Sequence, residues 1–315
     1  MQLKQRLWIP LVLVLGIGMG ALLFGPWISE QIAYAVQTGQ NKADRELIAE
    51  LSEKDSASAL FRAIARTVKP AVVEVRVTKK VAMGPMRNDM DDLFRRHFGE
   101  DWPFGGPAPA PRREPKEFFS RGLGSGVVVD AENGYVLTNH HVVADADEVE
   151  VILADKRALE AEWVRTDRLT DLAVIKIKPE RLIEAPLGDS DAMAVGDWVL
   201  AIGAPRGLPQ TVTAGIVSAK GRQAENSDVY QDYIQTDAAI NRGNSGGPLV
   251  NTRGVDNAIN RVIYTHSGGN EGIGFAIPSN MVHRIMTQLI ESGKVTRGYL
   301  GVRIQNVDEN LARSF

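Results

Sequence analysis

Beyond Ser120 the chain is a succession of short apolar and β-branched runs, and this constrains the fold more than any other feature. Val127–Val129, Glu148–Leu153, Leu172–Ile177, Trp198–Ile202, Thr211–Val217 and Val229–Gln235 are each bounded by Gly, Pro, Asn or Asp. Strands this short and this evenly spaced build a β-barrel or sandwich, whereas βαβ units would interleave them with helical patterns. Gly122-Leu-Gly-Ser-Gly126 does not open a dinucleotide site. Its spacing departs from G-x-G-x-x-G, and the valines and Asn133-Gly134 that follow make a hairpin where a phosphate site needs a helix.

Upstream, Leu60, Ile64 and Val68 recur at helical spacing and Lys69-Pro70 stops that helix. Val73–Val77 alternates as a strand. Residues 37–55 are polar and read as a tether or a solvated helix. The segment 79–120 breaks all periodicity: it holds Pro107-Ala-Pro-Ala-Pro111 and the locally packing aromatics Phe94, Phe98, Trp102 and Phe104. A connection of this length is expected to be a mobile, regulatory loop outside the barrel core. Near the other end, Met281–Ser292 is helical, with Met281, Val282, Ile285, Met286 and Leu289 on one side and Gly293 ending it.

Lys4 and Arg6 precede an uncharged run from Leu7 to Phe24. That run exceeds the usual signal-peptide core and suits a membrane anchor, although Ala33-Tyr34-Ala35 would serve as a cleavage site. Positive charge on its N-terminal side exports the remainder of the chain. With 315 residues the chain can bury a full core in one or two domains, and its net charge of −3 makes no case for nucleic acid. It contains no cysteine, which excludes disulfides, thiolate zinc sites and thiol catalysis.

The chemistry centres on Asn241-Arg-Gly-Asn-Ser-Gly-Gly-Pro248. A serine among glycines sits on backbone free to adopt unusual conformations and to aim N–H groups inward, as acyl transfer requires at an oxyanion. Such a serine needs a histidine base and an orienting carboxylate. The histidine lies in Thr138-Asn-His-His-Val-Val143, at a strand end. Adjacent histidines point apart and no H-E-x-x-H occurs, which argues against a metal site. Asp171 opens a buried strand in Thr170-Asp-Leu-Ala-Val-Ile-Lys176 and is the best carboxylate. Asp167, Asp189, Asp191 and Asp197 stand in turn-like contexts that suit caps or solvated groups, and Asp237 leads the strand toward the serine but points elsewhere. The order His, Asp, Ser is that of chymotrypsin-like double barrels. An α/β-hydrolase would need G-x-S-x-G and a serine-first order.

Thr-Asn-x-His-Val-Val, Asp-Leu-Ala-Val-Ile-Lys, Thr-Val-Thr-x-Gly-Ile-Val-Ser and Asp-Ala-Ala-Ile-Asn-x-Gly-Asn-Ser-Gly-Gly-Pro-Leu together resemble the HtrA (Do/Deg) serine endopeptidases, from about Ala71 onward. The resemblance implies an all-β, chymotrypsin-like double β-barrel. It implies His141 as base, with His140 in the motif's variable place, Asp171 as orienting acid and Ser245 as nucleophile. Gly243, Asn244 and Ser245 would form the oxyanion hole. Ile240, Ile259 and Asn260 would border a substrate pocket for small aliphatic side chains. No metal or organic cofactor is implied. Partners would be unfolded or misfolded polypeptides and sister subunits of a homotrimer, with the membrane reached through the N-terminal segment.

The division expected is an anchor or signal segment over 1–28, a tether and short helix over 29–69, a protease domain over 70–296 and the start of a PDZ domain over 297–315. That last piece is expected to be too short to bind peptide C-termini or to respond to them. The location implied is the periplasmic side of a bacterial inner membrane, or the soluble periplasm if the N-terminal segment is cleaved. One departure is Asp256-Asn-Ala-Ile-Asn260, where the family's strand after the nucleophile is apolar. It favours an alternative, a catalytically weak relative acting as chaperone or scaffold; the complete Ser, His and Asp set argues against it.

Overall fold

A computed structural model describes residues 29–48, 57–82, 117–204, 210–223, 230–241, 243–263, 271–298, 301 and 309–314. The apolar run before residue 29, the core of the long segment and most of 299–308 lie outside the described residues. Among the described residues no helix is long and apolar enough to cross a membrane.

The first helix, α1, covers residues 29–48 and contains Ala33-Tyr34-Ala35. It is more than a tether. The Tyr34 hydroxyl donates to the Leu182 carbonyl at 3.1 Å, Arg181 pairs with Glu30 at 2.8 Å, and Ile48 is buried in the main core. Ala57–Val68 (α2) buries Leu60, Ile64 and Val68 on the face their spacing marks, and a 3-10 turn at Lys69–Ala71 ends it at Pro70.

Seven strands follow: β1 (Val72–Ala82), β2 (Glu117–Asp130), β3 (Tyr135–Asn139), β4 (Glu148–Ile152), β5 (Ala158–Glu160), β6 (Trp163–Asp167) and β7 (Leu172–Lys176). They form one antiparallel sheet in the order β5-β4-β1-β2-β3-β7-β6. Val73, Val75 and Val77 turn to one face and bury against Val128, Val136, Val151 and Ile175, as strict alternation dictates. The register of β1 on β2 runs from Val72↔Val127 to Ala82↔Glu117, so Lys79–Ala82 and Glu117–Ser120 belong to strands. The irregular segment is therefore narrower at both ends than the sequence pattern indicates.

The second half is a closed barrel in the order β10-β13-β12-β11-β8-β9. Its strands are β8 (Trp198–Gly203), β9 (Thr211–Arg222), β10 (Tyr233–Thr236), β11 (Pro248–Asn251), β12 (Asp256–Ile263) and β13 (Gly274–Pro278). Strand β9 outruns its predicted end at Val217, because Ala219 and Arg222 still pair with β10. Val199, Ala201, Ile234, Leu249, Ala258 and Ala276 fill its interior. A single helical turn, α3, covers His140–Val143. Helix α4 (Ser279–Ser292) buries Val282, Ile285 and Leu289, and Gly293 caps it at φ 72°. A short helix, α5, covers Glu309–Ser314. An all-β pair of units with helices on the outside is the architecture of a trypsin-like double barrel.

Candidate active site

Strand β3 ends in one helical turn, His140–Val143 (α3), and pairs with β7 in the register Asn139↔Leu172. The end of β3 therefore lies beside Asp171, the residue before β7. Asp171 has φ 59°, a left-handed backbone that Asp adopts more readily than most side chains. The conformation is held from three directions. The Asp171 carbonyl accepts from the His140 N–H at 3.1 Å and from Asn139 Nδ2 at 3.1 Å, and its carboxylate Oδ1 accepts from the His141 N–H at 3.0 Å.

The same carboxylate faces the His141 ring. Nδ1 lies 2.9 Å from Oδ2 and 3.1 Å from Oδ1, so an Nδ1–H donated to Asp171 leaves Nε2 as the basic nitrogen. The His141 side chain is 47% exposed while that of Asp171 is 7% exposed, which puts the acid inside and the base at the surface. Burial pushes the Asp171 carboxyl up. The His141 hydrogen bonds and charge, with the Arg261 charge added, outweigh it and hold the group below the ordinary carboxylate range. His140 lies near Asp145 and makes no bond to the Asp171 carboxylate.

Ser245 sits between the end of β10 and the start of β11. Gly243 has φ 111° and the Asn244 N–H donates to the Asn241 carbonyl at 3.0 Å, as in a turn whose third residue must be left-handed. No described residue accepts a hydrogen bond from the Gly243 or Ser245 N–H. Asn244 is buried and its Nδ2 donates to the Ala239 carbonyl at 3.3 Å, so both its donors hold the turn. Gly246 has φ 87°, and a Cβ there would stand 2.2 Å from the Ser125 carbonyl oxygen, 2.3 Å from Thr138 Oγ1 and 3.2 Å from the Asn139 nitrogen. Only glycine lets the serine loop come this close to the strand that carries His141. Ser245 and His141 share no hydrogen bond among the described residues. Bonds of this kind are often long before substrate binds.

Asn260 and the serine loop are joined by two backbone bonds of 2.8 Å, Gly246 N–H to the Asn260 carbonyl and Asn260 N–H to the Gly247 carbonyl. Ile240, Ile259 and Asn260 are buried; Ile240 abuts Gly274, and Asn260 Nδ2 donates to the Pro248 carbonyl at 3.0 Å. Asp256 and Asn257 lie at the other end of β12, against Pro186–Asp189, where Asp256 pairs with Val250. The polar substitution in this strand is thus remote from the serine loop. Asp167, Asp189 and Asp197 accept from nearby N–H groups as turn caps. Asp237 accepts from Ile216 N–H, away from His141.

Two contributors escape sequence reasoning. Ser125, on β2, donates its N–H to the Ser245 carbonyl at 2.9 Å; its hydroxyl donates to the Gly243 carbonyl and accepts from Ala204 N–H at 2.7 Å. Arg261, on β12, donates Nε to Asp171 Oδ2 at 2.8 Å. Nothing in spacing marks either, and each stands in a strand that carries other polar residues.

A family model for the trypsin-like peptidase domain matches residues 124–255, a span that includes His141, Asp171 and Ser245. The chain is 47% identical over 255 residues to a probable periplasmic serine protease do/HhoA-like of Haemophilus influenzae, covering 79% of this chain and 53% of that protein. It is 44% identical over 262 residues to the periplasmic serine endoprotease DegP of Escherichia coli, covering 78% and 54%. The chain spans about half the length of these curated relatives. Among solved structures, the HtrA-type protease AlgW with decapeptide superposes with a TM-score of 0.63 at 41% identity, covering 80% of this chain and 74% of that one. The serine endoprotease from Yersinia pestis gives 0.56 at 37% identity, covering 77% and 71%. On its fold, the geometry around Ser245 and these likenesses, the chain belongs to the HtrA-type serine protease family.

Proposed function

We propose that this chain is a serine endopeptidase in which Ser245 attacks the peptide carbonyl and His141 Nε2 takes its proton. Asp171 holds the imidazole in the productive tautomer and faces the imidazolium that forms. The Gly243 and Ser245 N–H groups receive the oxyanion, while Asn244 holds the turn that aims them. His141 then protonates the leaving amine, and water resolves the acyl-enzyme by the same route. Ile240, Ile259 and Asn260 shape the wall of the pocket for the residue before the scissile bond, with small aliphatic side chains as the preferred class. The observation that carries this reading is the His141–Asp171 pair, seated beside a serine loop whose Gly246 abuts the same strand.

The substrates are unfolded or damaged polypeptides in the periplasm, the compartment for which the curated relatives are named. The family resemblance supports a homotrimer held at the membrane through residues 1–28. A fluorophosphonate probe together with casein degradation tests the activity: wild type is labelled and degrades casein, and Ser245→Ala does neither. Casein held soluble without cleavage or labelling by the wild type would instead establish a chaperone.

A further inference from the structure

One oxygen of Asp171 accepts from two side-chain nitrogens at once. Its Oδ2 accepts from His141 Nδ1 at 2.9 Å and from Arg261 Nε at 2.8 Å. Arg261 reaches it from a strand 90 positions away in sequence, and its guanidinium lies over the Tyr233 ring at 5.0 Å, with Tyr233 in turn packed on Phe275. Both side chains of this ion pair are largely enclosed, 19% exposed for Arg261 and 7% for Asp171, so bulk salt screens it poorly. The stacked ring fixes the guanidinium plane, and a permanent charge is thereby built against the acid of the triad.

We propose that Arg261 is a positioning residue that sets the basicity of His141 through Asp171. The proposal rests on the endopeptidase reading given above. When His141 takes the serine proton, the imidazolium forms beside a carboxylate whose charge is already shared with a guanidinium. Two nitrogens on one oxygen lie within about 6 Å of each other, close enough for their charges to repel through a partly enclosed site. Arg261 therefore makes the imidazolium less stable and keeps His141 deprotonated, and so competent as a base, at lower pH. Among the described residues, the charged and titratable groups at this pair are Asp171 itself, Arg261 from β12 and Tyr233 from β10, with His140 next to His141 on the same turn. Of these, only Arg261 carries a fixed positive charge against the carboxylate.

The experiment compares wild type, Arg261→Gln and Arg261→Lys. In each, the pH dependence of kcat/KM on a peptide substrate is measured, and so is the NMR titration of the His141 ring in a Ser245→Ala background, where no turnover is needed. Arg261→Gln is expected to move the acid limb and the His141 titration upward together, by about one pH unit, with KM little changed. Arg261→Lys, which keeps the charge but not the fork or the stacking, is expected to move both by less than half as much. If the glutamine variant does not fold, Arg261→Met is measured in its place with the same expectation. An unchanged His141 titration in the neutral variant, or an equal shift with lysine and glutamine, overturns the proposal. A wild type that hydrolyses nothing but whose His141 still shifts on loss of Arg261 would fault the endopeptidase reading and leave the coupling standing.

Discussion

The backbone N–H of Ser125 donates to the carbonyl oxygen of Ser245 at 2.9 Å, so a strand of the first sheet grips the serine loop of the second barrel. The Ser125 hydroxyl extends the grip, donating to the Gly243 carbonyl and accepting from Ala204 N–H. Ser125→Ala keeps the first bond and removes the other two. It leaves a carbonyl and an N–H without partners in a buried site, at about 1–3 kcal/mol for each group left unsatisfied. Expected are a lower urea midpoint and a kcat reduced about tenfold or more with KM little altered, because the turn presenting the Gly243 N–H loses its tie. Chemical denaturation and steady-state kinetics on one preparation check both; full kcat in a destabilised variant would mean the turn holds itself.

Gly246→Ala should be far more damaging than its size suggests. The added Cβ meets the Ser125 carbonyl at 2.2 Å and Thr138 Oγ1 at 2.3 Å, on a backbone at φ 87°. Backbone strain and a clash against strand backbone add, and a loss above about 2 kcal/mol with abolished hydrolysis is expected. Gly254→Ala is the control. It has φ 69° but meets only side-chain tips, Ile48 Cδ1 at 3.3 Å and Val68 Cγ2 at 4.0 Å, so about 1 kcal/mol and retained activity are expected. Equal losses in urea unfolding would show that strain alone sets the cost.

His141→Ala and Ser245→Ala should each lower peptide hydrolysis by several orders of magnitude, and the double variant by no more than either, since groups acting as one unit do not add their losses. His140→Ala should cost far less, because the Asp171 carboxylate bonds His141 and not its neighbour. Loss of turnover in His140→Ala with turnover retained in His141→Ala would reverse the assignment of the base.

What was legible in the sequence was local. Strands such as Leu172–Lys176 and hairpins such as the one at Gly134 (φ 68°) follow from alternation and turn residues, and both are found. The helix over Ala57–Val68 follows from the spacing of Leu60, Ile64 and Val68. The pairing of His141 with Asp171 was legible only as an order of motifs, since it depends on the register of β3 against β7. Arg261 and Ser125 were not legible, because their partners lie in loops and strand ends of the other half of the molecule and no spacing encodes them. The docking of α1 is not legible for a related reason: Tyr34 and Ile48 acquire partners only once the first sheet exists, while most of the helix stays exposed or half-buried. The polar residues of β12 stood out in sequence, but which end of the strand faced the serine loop did not.

Asp256 is fully buried at the start of β12, remote from Ser245. Burial pushes its carboxyl well above the ordinary range, against the opposing pull of the Ala258 and Leu249 N–H groups. Its Oδ1 accepts from Ala258 N–H at 3.2 Å, and its Oδ2 has no partner among the described residues. An acid whose folded pKa is raised binds its proton in the native state where the unfolded chain has already lost it. Stability therefore falls as pH rises from about 4, the unfolded value, until the folded value is passed. Asp171 and Asp167 are shifted the opposite way; their contribution is present above about pH 4 and lost as pH falls through their lower folded values. The two effects occupy opposite sides of pH 4 and can be separated. Asp256→Asn keeps the shape and removes the proton. It should flatten the decline above pH 4, leave the acid side as in wild type, and stabilise the protein at pH 7 by at least about 1 kcal/mol. Urea unfolding at intervals of pH measures this. A variant less stable than wild type at pH 7, or one with the same slope above pH 4, would show that Asp256 is ionised in the fold and held by a compensating group.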